Sequence, residues 1–548
     1  MNNSILEWIK REAKRTAKLA FWLSIFPCVA QAGVFNVTTA EELQAALVVA
    51  GSNSSENRIV LAKGTYDGNF KYIAEHSFSL EIVGQSAKDT LLDGGNRAYA
   101  LFLSLGDFNP EIKIGRITLR GGKAKTGAAI RISSERTEPF FSWSPEFHPR
   151  VMLSALEIHN NFGGVGFALT GSVIHGVGTI LTIEKTQISD NTSLATIQCS
   201  DSCDLTISDS VIDGAKKSAS VDKSEINVGS IFIENSVISN IELESLGFNG
   251  GSSEIGCRLV RSRFEGSGFL DCNSAKRFFV DSSTIHVTAK FGGGGTIINS
   301  QFASNNNLSL RGEAIQLLGS LFAPQFDANG GGGTLEFSNY KALDVLSNTI
   351  TDLSLMKLTP DSSGSSHTLG NNIVVSRRTN GLSPILQEEF PEKSRLISNI
   401  LPEGDHGVWD ENDGNFALIP EFFDPDGFDF RLVEGARGVN GGSNNLLLEE
   451  QLVDLDGNPR VLDGLVDIGA YERSTSALHP ADTDGDNAIS QSEFDAYNVA
   501  WRANESWPAG PELIPVDFVT RAGYLLQKGG AYKNIGVGKP ATWVPVNE

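Results

Sequence analysis

The sequence is short of the features that mark several common classes of protein. It has 44 lysine and arginine residues against 66 aspartate and glutamate residues, a formal net charge of −22 at pH 7. Because phosphate groups bind to basic surfaces, nucleic acid and anionic membrane surfaces are not expected partners. No apolar run reaches the roughly 20 residues that span a bilayer, so we expect no transmembrane segment. The acidic balance suits an extracellular protein that binds divalent cations.

Residues 1–32 predict an export signal. A basic stretch from Lys10 to Lys18 precedes an apolar run of about a dozen residues, and Ala30-Gln31-Ala32 places small residues where a signal peptidase reads them. Lipid attachment at Cys28 is the alternative, but Pro27 stands where a small residue should precede a lipidated cysteine. We therefore predict cleavage after Ala32 and a secreted or cell-surface location.

Cysteine is scarce, and no Cys/His spacing resembles a zinc site. Removal of residues 1–32 leaves Cys199, Cys203, Cys257 and Cys272. An even number in an exported chain permits two disulfides in any of three connectivities. We favour Cys199 with Cys203 and Cys257 with Cys272, because each pair lies within one or two neighbouring repeats. The alternative is that these residues are buried as small apolar side chains.

The mature N-terminus predicts a plug for an open solenoid end. Val34–Val37 has the pattern of a strand, and Thr39 with Glu42 forms a capping-box motif at the start of a helix. Apolar residues then follow at helical spacing on one face, at Leu43, Ala46, Leu47 and Ala50. Such a helix would cover the apolar interior of the first coil.

From about residue 110 to 375 one pattern recurs. It is a short alternating strand, a small polar residue, one apolar anchor and then Ser, Asp, Asn or Gly, as in residues 181–190, 205–214 and 231–240. The spacing of the anchors averages about 25 residues, which is typical of one solenoid coil. The anchors are Leu119, Ile158, Ile188, Ile212, Ile238, Phe264, Ile285, Phe302, Phe322, Ile350 and Ile373.

This repeat predicts an all-β fold, a right-handed parallel β-helix. Each coil would place alternate side chains in a narrow apolar interior, and stacked coils would join these into one core. The polar residue after each anchor marks a turn, often with positive φ, where asparagines can stack in ladders. A leucine-rich repeat would need a fixed Leu-x-x-Leu-x-Leu spacing, which is absent. Gly292–Gly295 and Gly330–Gly333 interrupt the repeats and are interpreted either as loops or as close backbone packing at a turn, with a loop favoured over a binding role.

Residues 395–472 carry a family resemblance. Asp454-Leu-Asp-Gly-Asn-Pro-Arg460 and Asp467-Ile-Gly-Ala-Tyr-Glu472 resemble the end of the choice-of-anchor Q group of bacterial surface β-helix proteins, and residues 430–442 are similar to the stretch that precedes it. The resemblance implies a parallel β-helix at the cell surface. We expect the aspartates of this segment to cap turns and to pair with Arg460 at the C-terminal end of the solenoid.

The sharpest local motif is a 12-residue acidic loop from Asp482 to Glu493. Ca²⁺ takes six to eight hard oxygen ligands, and a loop with acids at positions 1, 3, 5 and 12 supplies them. Asn487 replaces the usual glycine at position 6, and asparagine tolerates the left-handed turn. The predicted Ca²⁺ ligands are Asp482, Asp484, Asp486, the carbonyl of Ala488, Ser490 and Glu493.

The flanks of this loop predict a small helical module. Pro480 excludes a long incoming helix, and Phe494, Tyr497 and Trp501 fall on one face of an outgoing helix. A second helix, from about Val516 to Gln527, follows without a second acidic loop. The arrangement is similar to an EF-hand or dockerin-like tail with a degenerate second half, which implies a possible protein partner for the tail and calcium-stabilised folding.

A catalytic site is harder to place. Polysaccharide lyases use an Arg or Lys base beside a uronate, often with Ca²⁺, and glycoside hydrolases use two carboxylates. The signatures of polygalacturonases and pectate lyases are absent, and the histidines, including His159, His175 and His406, are scattered. The remaining candidates are the bases Arg258, Arg261 and Arg263 and the acids Asp190, Asp213, Glu234 and Asp281.

The sequence thus predicts five parts and two functions. The parts are a signal peptide (1–32), an N-terminal cap with first coils (33–110), β-helix repeats (111–394), a closing region (395–472) and an EF-hand-like tail (473–548). We expect an exported, calcium-binding β-helix protein that binds glycans or cell-envelope partners. The alternative is a polysaccharide lyase or glycoside hydrolase that acts on an acidic polysaccharide. Basic residues and carboxylates gathered in one groove across adjacent coils would favour the enzyme, and their scattering would favour the binder.

Overall fold

A computed structural model shows a parallel β-helix followed by a small helical tail. It describes residues 33–546 except for 135–148, 166–167, 170–171, 178, 194, 201–203, 215–224, 229, 241, 246–255, 266–268, 273–276, 304–306, 325–332, 354, 362–364, 376–384, 388–392, 402–412, 434, 463, 474–477, 485, 508–512 and 535–539. The predicted signal peptide, Cys203 and His406 lie outside the described residues. Among the described residues, no helix is both long enough and apolar enough to cross a membrane.

The chain divides into two compact units, Met1–Arg258 with Ser262–Lys276, and Leu259–Arg261 with Arg277–Glu548. In the first unit every coil adds strands to three parallel sheets, A, B and C. Sheet A contains Gly33–Val37, Asn57–Leu61, Leu80–Val83, Glu111–Gly115, Arg150–Ser154, Ile180–Glu184, Asp204–Ser208 and Ser230–Glu234. Sheet B contains Gly64–Asp67, Thr90–Asp93, Thr118–Arg120, Glu157–Ile158, Gln187–Ile188, Val211–Asp213, Val237–Ser239 and Arg263–Glu265. Sheet C contains Phe70–Ile73, Leu101–Ser104, Ile130–Ser133, Ser172–Val177, Ala195–Ser200, Glu225–Val228, Glu242–Ser245 and Phe269–Cys272.

The second unit repeats this plan, and the strand Cys257–Val260 has residues in both units. Its sheet A strands are Phe278–Asp281, Gly295–Ile298, Ala314–Leu318, Ala342–Leu346, Ser366–Gly370 and Lys393–Ile397. Its sheet B strands are Thr284–Ile285, Gln301–Phe302, Leu321–Phe322, Thr349–Thr351, Ile373–Val375, Ile400–Leu401 and Phe416–Ala417. Its sheet C strands are Thr288–Phe291, Leu308–Arg311, Thr334–Tyr340, Leu355–Pro360 and Ile385–Gln387. Short additional strands are Lys123–Ala124, Phe162–Val165, Ala168–Leu169, Thr192–Ser193, Phe422–Asp424 and Asp429–Leu432.

The apolar anchors of the repeat form the interior of sheet B. In the first unit Leu119 pairs with Ile158, and the ladder continues in register to Phe264. In the second unit Ile285 begins a similar ladder, and every anchor is buried. The last predicted anchor is one residue out of register, because Ile350 pairs with Val374 rather than with Ile373. The parallel β-helix predicted from the repeat is therefore confirmed.

The N-terminal plug forms as its sequence predicts. Helix α1 (Ala40–Ser52) begins at a capping box in which Thr39 and Glu42 each accept a hydrogen bond from the backbone of the other. Its apolar face is buried, and the side chain of Gln44 both donates to and accepts from the backbone of Lys71 in sheet C. The helix therefore covers the first coils and is fastened to a sheet C strand.

The turns of the coil only partly follow the prediction. Positive φ does occur two residues after several anchors, as at Asn160, Asp190 and Asp352. A more regular left-handed turn precedes the anchor, between sheets A and B, and residues as different as Lys185 and Asn371 occupy it. The repeat pattern did not reveal this turn, because residue types as different as lysine, alanine and asparagine occupy it.

Buried asparagines stack beside this second turn. Asn348, Asn372, Asn399 and Asn415 each lie one coil apart, and each side-chain amide donates to the next asparagine's carbonyl oxygen at 3.0 Å. Serines occupy the corresponding position in the preceding coils of the second unit, where Ser283, Ser300 and Ser320 follow one another. Of the ladder predicted after the anchor, the part of the chain that the structure describes contains the pair Asn161 and Asn191.

The structure decides between the two interpretations of Gly292–Gly295 in favour of close backbone packing at a turn. These residues make the tight turn from sheet C into the sheet A strand Gly295–Ile298, with φ of 83° at Gly293 and 82° at Gly294. A Cβ atom on Gly295 would stand 2.0 Å from the carbonyl oxygen of Phe278. Close backbone approach therefore explains the glycines, while most of the second glycine run, Gly330–Gly333, lies outside the described residues.

The closing segment caps turns as expected, but its ion pair differs. Asp454 accepts hydrogen bonds from the backbone N–H groups of Asp456, Asn458 and Glu472. Arg460 instead pairs with Glu472, Nη1 to Oε1 at 2.7 Å, with both side chains buried. Burial raises the pKa of Asp454, and the charge of Arg460 acts to lower it, so Arg460 influences Asp454 as well as pairing with Glu472.

One disulfide lies among the described residues, between Cys257 and Cys272. The preferred pairing of these two cysteines is confirmed. The other preferred pair stays a prediction, because Cys203 lies outside the described residues.

The tail has a core of its own. It contains helix α2 (Gln491–Ala503), helix α3 (Val516–Gln527) and an antiparallel hairpin of Tyr532–Asn534 with Trp543–Pro545. Tyr497 of α2 and Phe518 of α3 pack with Tyr532 and Trp543 of the hairpin. Short 3₁₀ helices are Pro425–Gly427 and Asn444–Leu446 in the closing region and Pro540–Thr542 in the tail.

Candidate functional site

Three predicted calcium ligands converge in the tail. Carboxylate oxygens of Asp482, Asp484 and Asp486 all lie within 4.8 Å of one another, with Asp482 buried and the other two exposed. The loop reaches this shape through local hydrogen bonds, since Asp484 accepts from the N–H of Asp486, and Asp486 accepts from that of Ala488. Asn487 has φ of 62°, the left-handed conformation predicted for position 6.

The other predicted ligands have different partners in the structure. Glu493 accepts from the N–H groups of Thr483 and Ser490 and completes a capping box with Ser490 at the start of α2. Ala488 bridges to Ala531, next to the hydrogen bond from the N–H of Ile489 to the carbonyl of Gly530. The structure therefore assembles the triad from positions 1, 3 and 5, and it places Glu493 against the backbone of the same loop.

The loop is tied to the C-terminal hairpin through Tyr532. The phenol of Tyr532 donates to Asp482 at 2.7 Å and accepts from the N–H of His479 at 2.7 Å. The backbone N–H of Tyr532 also donates to the carbonyl of Asn487. The segment that pairs with the acidic loop thus follows α3 instead of preceding it. The second helix that the sequence predicts from about Val516 to Gln527 is present as α3.

The electrostatics of the loop favour a cation. A hydrogen bond from Asp486 acts to lower the pKa of Asp484, but burial and the charges of Asp486, Glu493 and Asp482 raise it overall. Burial acts to raise the pKa of Glu493, but hydrogen bonds from Ser490 and Thr483 lower it to about 2. The raised pKa of Asp484 reflects repulsion between neighbouring carboxylates, which a bound divalent cation would relieve. The hard oxygen donors of Asp482, Asp484 and Asp486 fit Ca²⁺.

The arginines proposed as bases do not share one surface. The guanidinium of Arg258 stacks on the Phe232 ring, with Cζ 4.9 Å from the centroid. Arg263 lies in a sheet B strand and pairs with Glu265, Nε to Oε2 at 2.7 Å. Arg261 occupies the left-handed turn with φ of 45°.

The candidate acids also have structural surroundings. Asp213 accepts hydrogen bonds from the side chains of Ser239 and Asn240, one coil further along, at 2.9 Å. Asp190 occupies a turn with φ of 53°, and Asp281 accepts from the hydroxyl of Ser282. Glu234 ends a strand of sheet A, a different sheet from that of Asp213. Within the first unit, the acids Asp190, Asp213 and Glu234 therefore lie in different parts of the coil.

A row that the sequence analysis missed crosses four successive coils of sheet C. Lys71 pairs in register with Phe102, Phe102 with Arg131, and Arg131 with His175. Lys71 Nζ is 5.4 Å from the centre of the Phe102 ring, and Arg131 Cζ is 5.5 Å from it. Sheet C has no constant anchor in the sequence, so these residues could be aligned only after the coils were known. We call them the sheet C row.

No family matches the sequence, and no curated protein is similar to it. Solved structures similar to this chain include an alginate lyase from Paenibacillus sp. str. FPU-7, with 15% identity, a TM-score of 0.30, and coverage of 56% of this chain and 99% of that chain. A mannuronic acid-specific polysaccharide family 6 lyase from human gut microbiota has 12% identity, a TM-score of 0.37, and coverage of 72% and 93%. The PL6 family alginate lyase AlyGC has 12% identity, a TM-score of 0.32, and coverage of 76% and 58%. At such similarity the chemistry of this chain has to be argued from its own residues.

Proposed function

We propose that this chain is an exported β-helix protein that binds Ca²⁺ in its tail and glycans on the outer face of its coils. The convergence of Asp482, Asp484 and Asp486 supports the calcium site, because three hard oxygen ligands already lie within the reach of one ion. The resemblance of residues 395–472 to choice-of-anchor Q proteins agrees with a location at the cell surface.

The glycan-binding part is supported by the architecture of the coils. Outward side chains of a parallel β-helix repeat at about 4.8 Å along the axis, so a row on one sheet presents a long, regular binding surface. The negative charge of the chain leaves nucleic acid an unsuitable partner. A linear polysaccharide fits such a surface, since it can contact several coils at once.

The calcium site is tested by titrating Ca²⁺ into the metal-free full chain in a calorimeter. We expect one strong binding event, and its loss in Asp484→Asn with Asp486→Asn, whose side chains are exposed and carry little of the core. Asp495→Asn, an exposed acid on α2, is the matched control and should bind as the wild type does. Absence of heat with the wild type, or full binding by the double variant, would refute this site.

A polysaccharide lyase is the second candidate. Arg131 and His175 are direct neighbours in the sheet C row, so a cation that neutralises a uronate carboxylate stands beside a group that can accept a proton. A lyase produces an unsaturated sugar, which absorbs light. An increase in absorbance during incubation with uronic acid polymers would therefore support lyase activity. A hydrolase is less well supported, because the candidate carboxylates Asp190, Asp213 and Asp281 each serve a turn or a hydroxyl.

A further inference from the structure

The sheet C row combines two cations and an aromatic ring in an acidic protein. Lys71 is exposed, whereas Phe102, Arg131 and His175 are half-buried, so their outer faces reach solvent. Lys71 and Arg131 approach the ring of Phe102 from the coils on either side of it. The ring of Tyr99 adds a second aromatic surface, with its centroid 5.1 Å from that of Phe102.

The two cations lack acidic partners within the described part of the chain. Cations on the other two sheets do have acidic partners. Lys113 on sheet A pairs with Glu111, and Arg120 on sheet B pairs with Asp93. The Nε atom of Arg131 is buried and has no hydrogen-bond partner among the described residues. In a chain with 22 more acidic than basic groups, two neighbouring cations without carboxylates indicate a surface for an anionic ligand.

The row also has the spacing of a polymer site. Successive coils are about 4.8 Å apart, close to the length of one pyranose unit in an extended polysaccharide. Because Lys71 and Arg131 both lie over the ring of Phe102, the ring holds the two cations in place, and carboxylates of sugars along the axis can reach them. The aliphatic part of the Arg131 side chain is half-buried, and its guanidinium lies over the Phe102 ring. Both contacts would restrict the guanidinium to an orientation in which it can meet a ligand.

We propose that Lys71, Phe102, Arg131 and His175 form a binding subsite for a uronic acid polysaccharide that runs along the β-helix axis. This subsite rests on the glycan binding proposed above and adds the class of glycan and the residues that select it. The anionic sugar is recognised by charge at two coils, and the Phe102 ring at the coil between them orients both cations. Neutral polysaccharides would lack this charge contribution.

Affinity electrophoresis of the full chain through gels containing sodium alginate, sodium polygalacturonate or neutral galactan tests the subsite. We expect retardation by at least one uronate polymer, weakened by added salt, and little retardation by galactan. Lys71→Ala with Arg131→Ala should weaken uronate binding at least tenfold. Lys113→Ala, on sheet A and paired with Glu111, should leave it unchanged. Circular dichroism melts confirm that each variant is folded, and Phe102→Leu tests whether the ring orients the two cations, without removing charge.

The outcomes separate the subsite from the wider proposal. If the wild type binds uronates and the Lys71/Arg131 variant binds them equally well, the subsite is wrong while glycan binding stands. If the wild type binds none of the polymers, both the subsite and the glycan-binding proposal fail, and the calcium titration is unaffected. Equal retardation by galactan and by uronates would overturn the charge-based recognition.

Discussion

His367 is a buried imidazole in the sheet A strand Ser366–Gly370, and its environment shows how a single residue can set pH dependence. Its side chain is 1% exposed, and its Nδ1 atom lies 3.4 Å from the hydroxyl of Tyr340. Burial lowers the pKa of His367 from 6.5 to about 4, because the interior disfavours the charged ring. The neutral form is therefore the one that fits the folded coil.

We predict that acid destabilises the second unit through this residue. The folded pKa is below the unfolded one, so the contribution of His367 is present above pH 6.5 and is lost as pH falls toward about 4. His367→Phe keeps an aromatic ring and removes the titration. Thermal melts at pH 7.5 and 4.5 should show a smaller drop in melting temperature for the variant than for the wild type.

The comparison with the variant is needed because Asp454 acts in the opposite direction. Burial raises the pKa of Asp454 from 3.8 to about 6, so its contribution is present below pH 3.8 and is lost as pH rises through 6. The difference in melting temperature between the wild type and His367→Phe at each pH isolates the contribution of the histidine. The same pH dependence in both proteins would show that His367 does not cause the loss of stability in acid.

At the scale of elements, the asparagine ladder is the polar counterpart of the apolar anchors. Asn372 accepts from the backbone and side chain of Asn348 and donates to the carbonyl of Val345 and to Asn399, all within the interior. An interior amide is stable only because every neighbour in the ladder is matched.

We predict that Asn372→Ala lowers the free energy of unfolding by about 3 kcal/mol, because donors and acceptors of two neighbouring coils lose their partner. Urea unfolding of the full chain provides the measurement. Ser309→Ala, on an outward position of the sheet C strand Leu308–Arg311, is the control and should cost less than about 0.5 kcal/mol. A loss for Asn372→Ala no larger than the control would show that the ladder contributes little.

The disulfide between Cys257 and Cys272 is a second stabilising feature at the scale of elements. Cys257 and Cys272 are both fully buried and are separated by 15 residues, so the bond closes a short segment of the first unit. Constraining a loop of this length stabilises a fold by about 3 kcal/mol, largely through the unfolded chain.

We predict that Cys257→Ala with Cys272→Ala lowers the stability of the first unit by about that amount. Urea unfolding without reductant compares the variant with the wild type and leaves Cys199 and Cys203 in place. Peptide mass mapping of the wild type should find the two cysteines linked. Two free thiols there would contradict the bond itself.

At the scale of the whole molecule, the chain joins a long β-helix to a tail with a separate core. The tail core of Ile489, Tyr497, Phe518, Tyr532 and Trp543 includes a residue of the acidic loop, so the loop and the core are coupled. Binding to the folded state alone stabilises a domain by about 2.7 kcal/mol at a ligand concentration 100-fold above its Kd.

We predict that Ca²⁺ raises the melting temperature of residues 473–548 by about 10 °C and leaves the β-helix transition unchanged. Differential scanning calorimetry of the full chain with Ca²⁺ or with chelator gives the two transitions. Asp482→Ala with Glu493→Ala should remove the calcium-dependent shift. Identical scans with and without Ca²⁺ would show that the loop is not a site.

The sequence by itself determined the elements whose cause is local. The anchors from Leu119 to Ile350 repeat because each coil must place one apolar side chain in a narrow interior, and Thr39 with Glu42 caps a helix through neighbours in the chain. The left-handed turn at Asn487 is local in the same sense.

Only the tertiary structure decided which distant residues meet. Lys71, Phe102, Arg131 and His175 belong to separate coils of unequal length, so no fixed spacing in the sequence places them in one row. Arg460 pairs with Glu472, and the backbone N–H of Glu472 donates to Asp454, so this buried group is assembled by the fold of the whole segment. Tyr532 reaches Asp482 across 50 residues because the hairpin packs against the loop. Stacking of coils and packing of cores are long-range, and they fix the contacts that local patterns leave open.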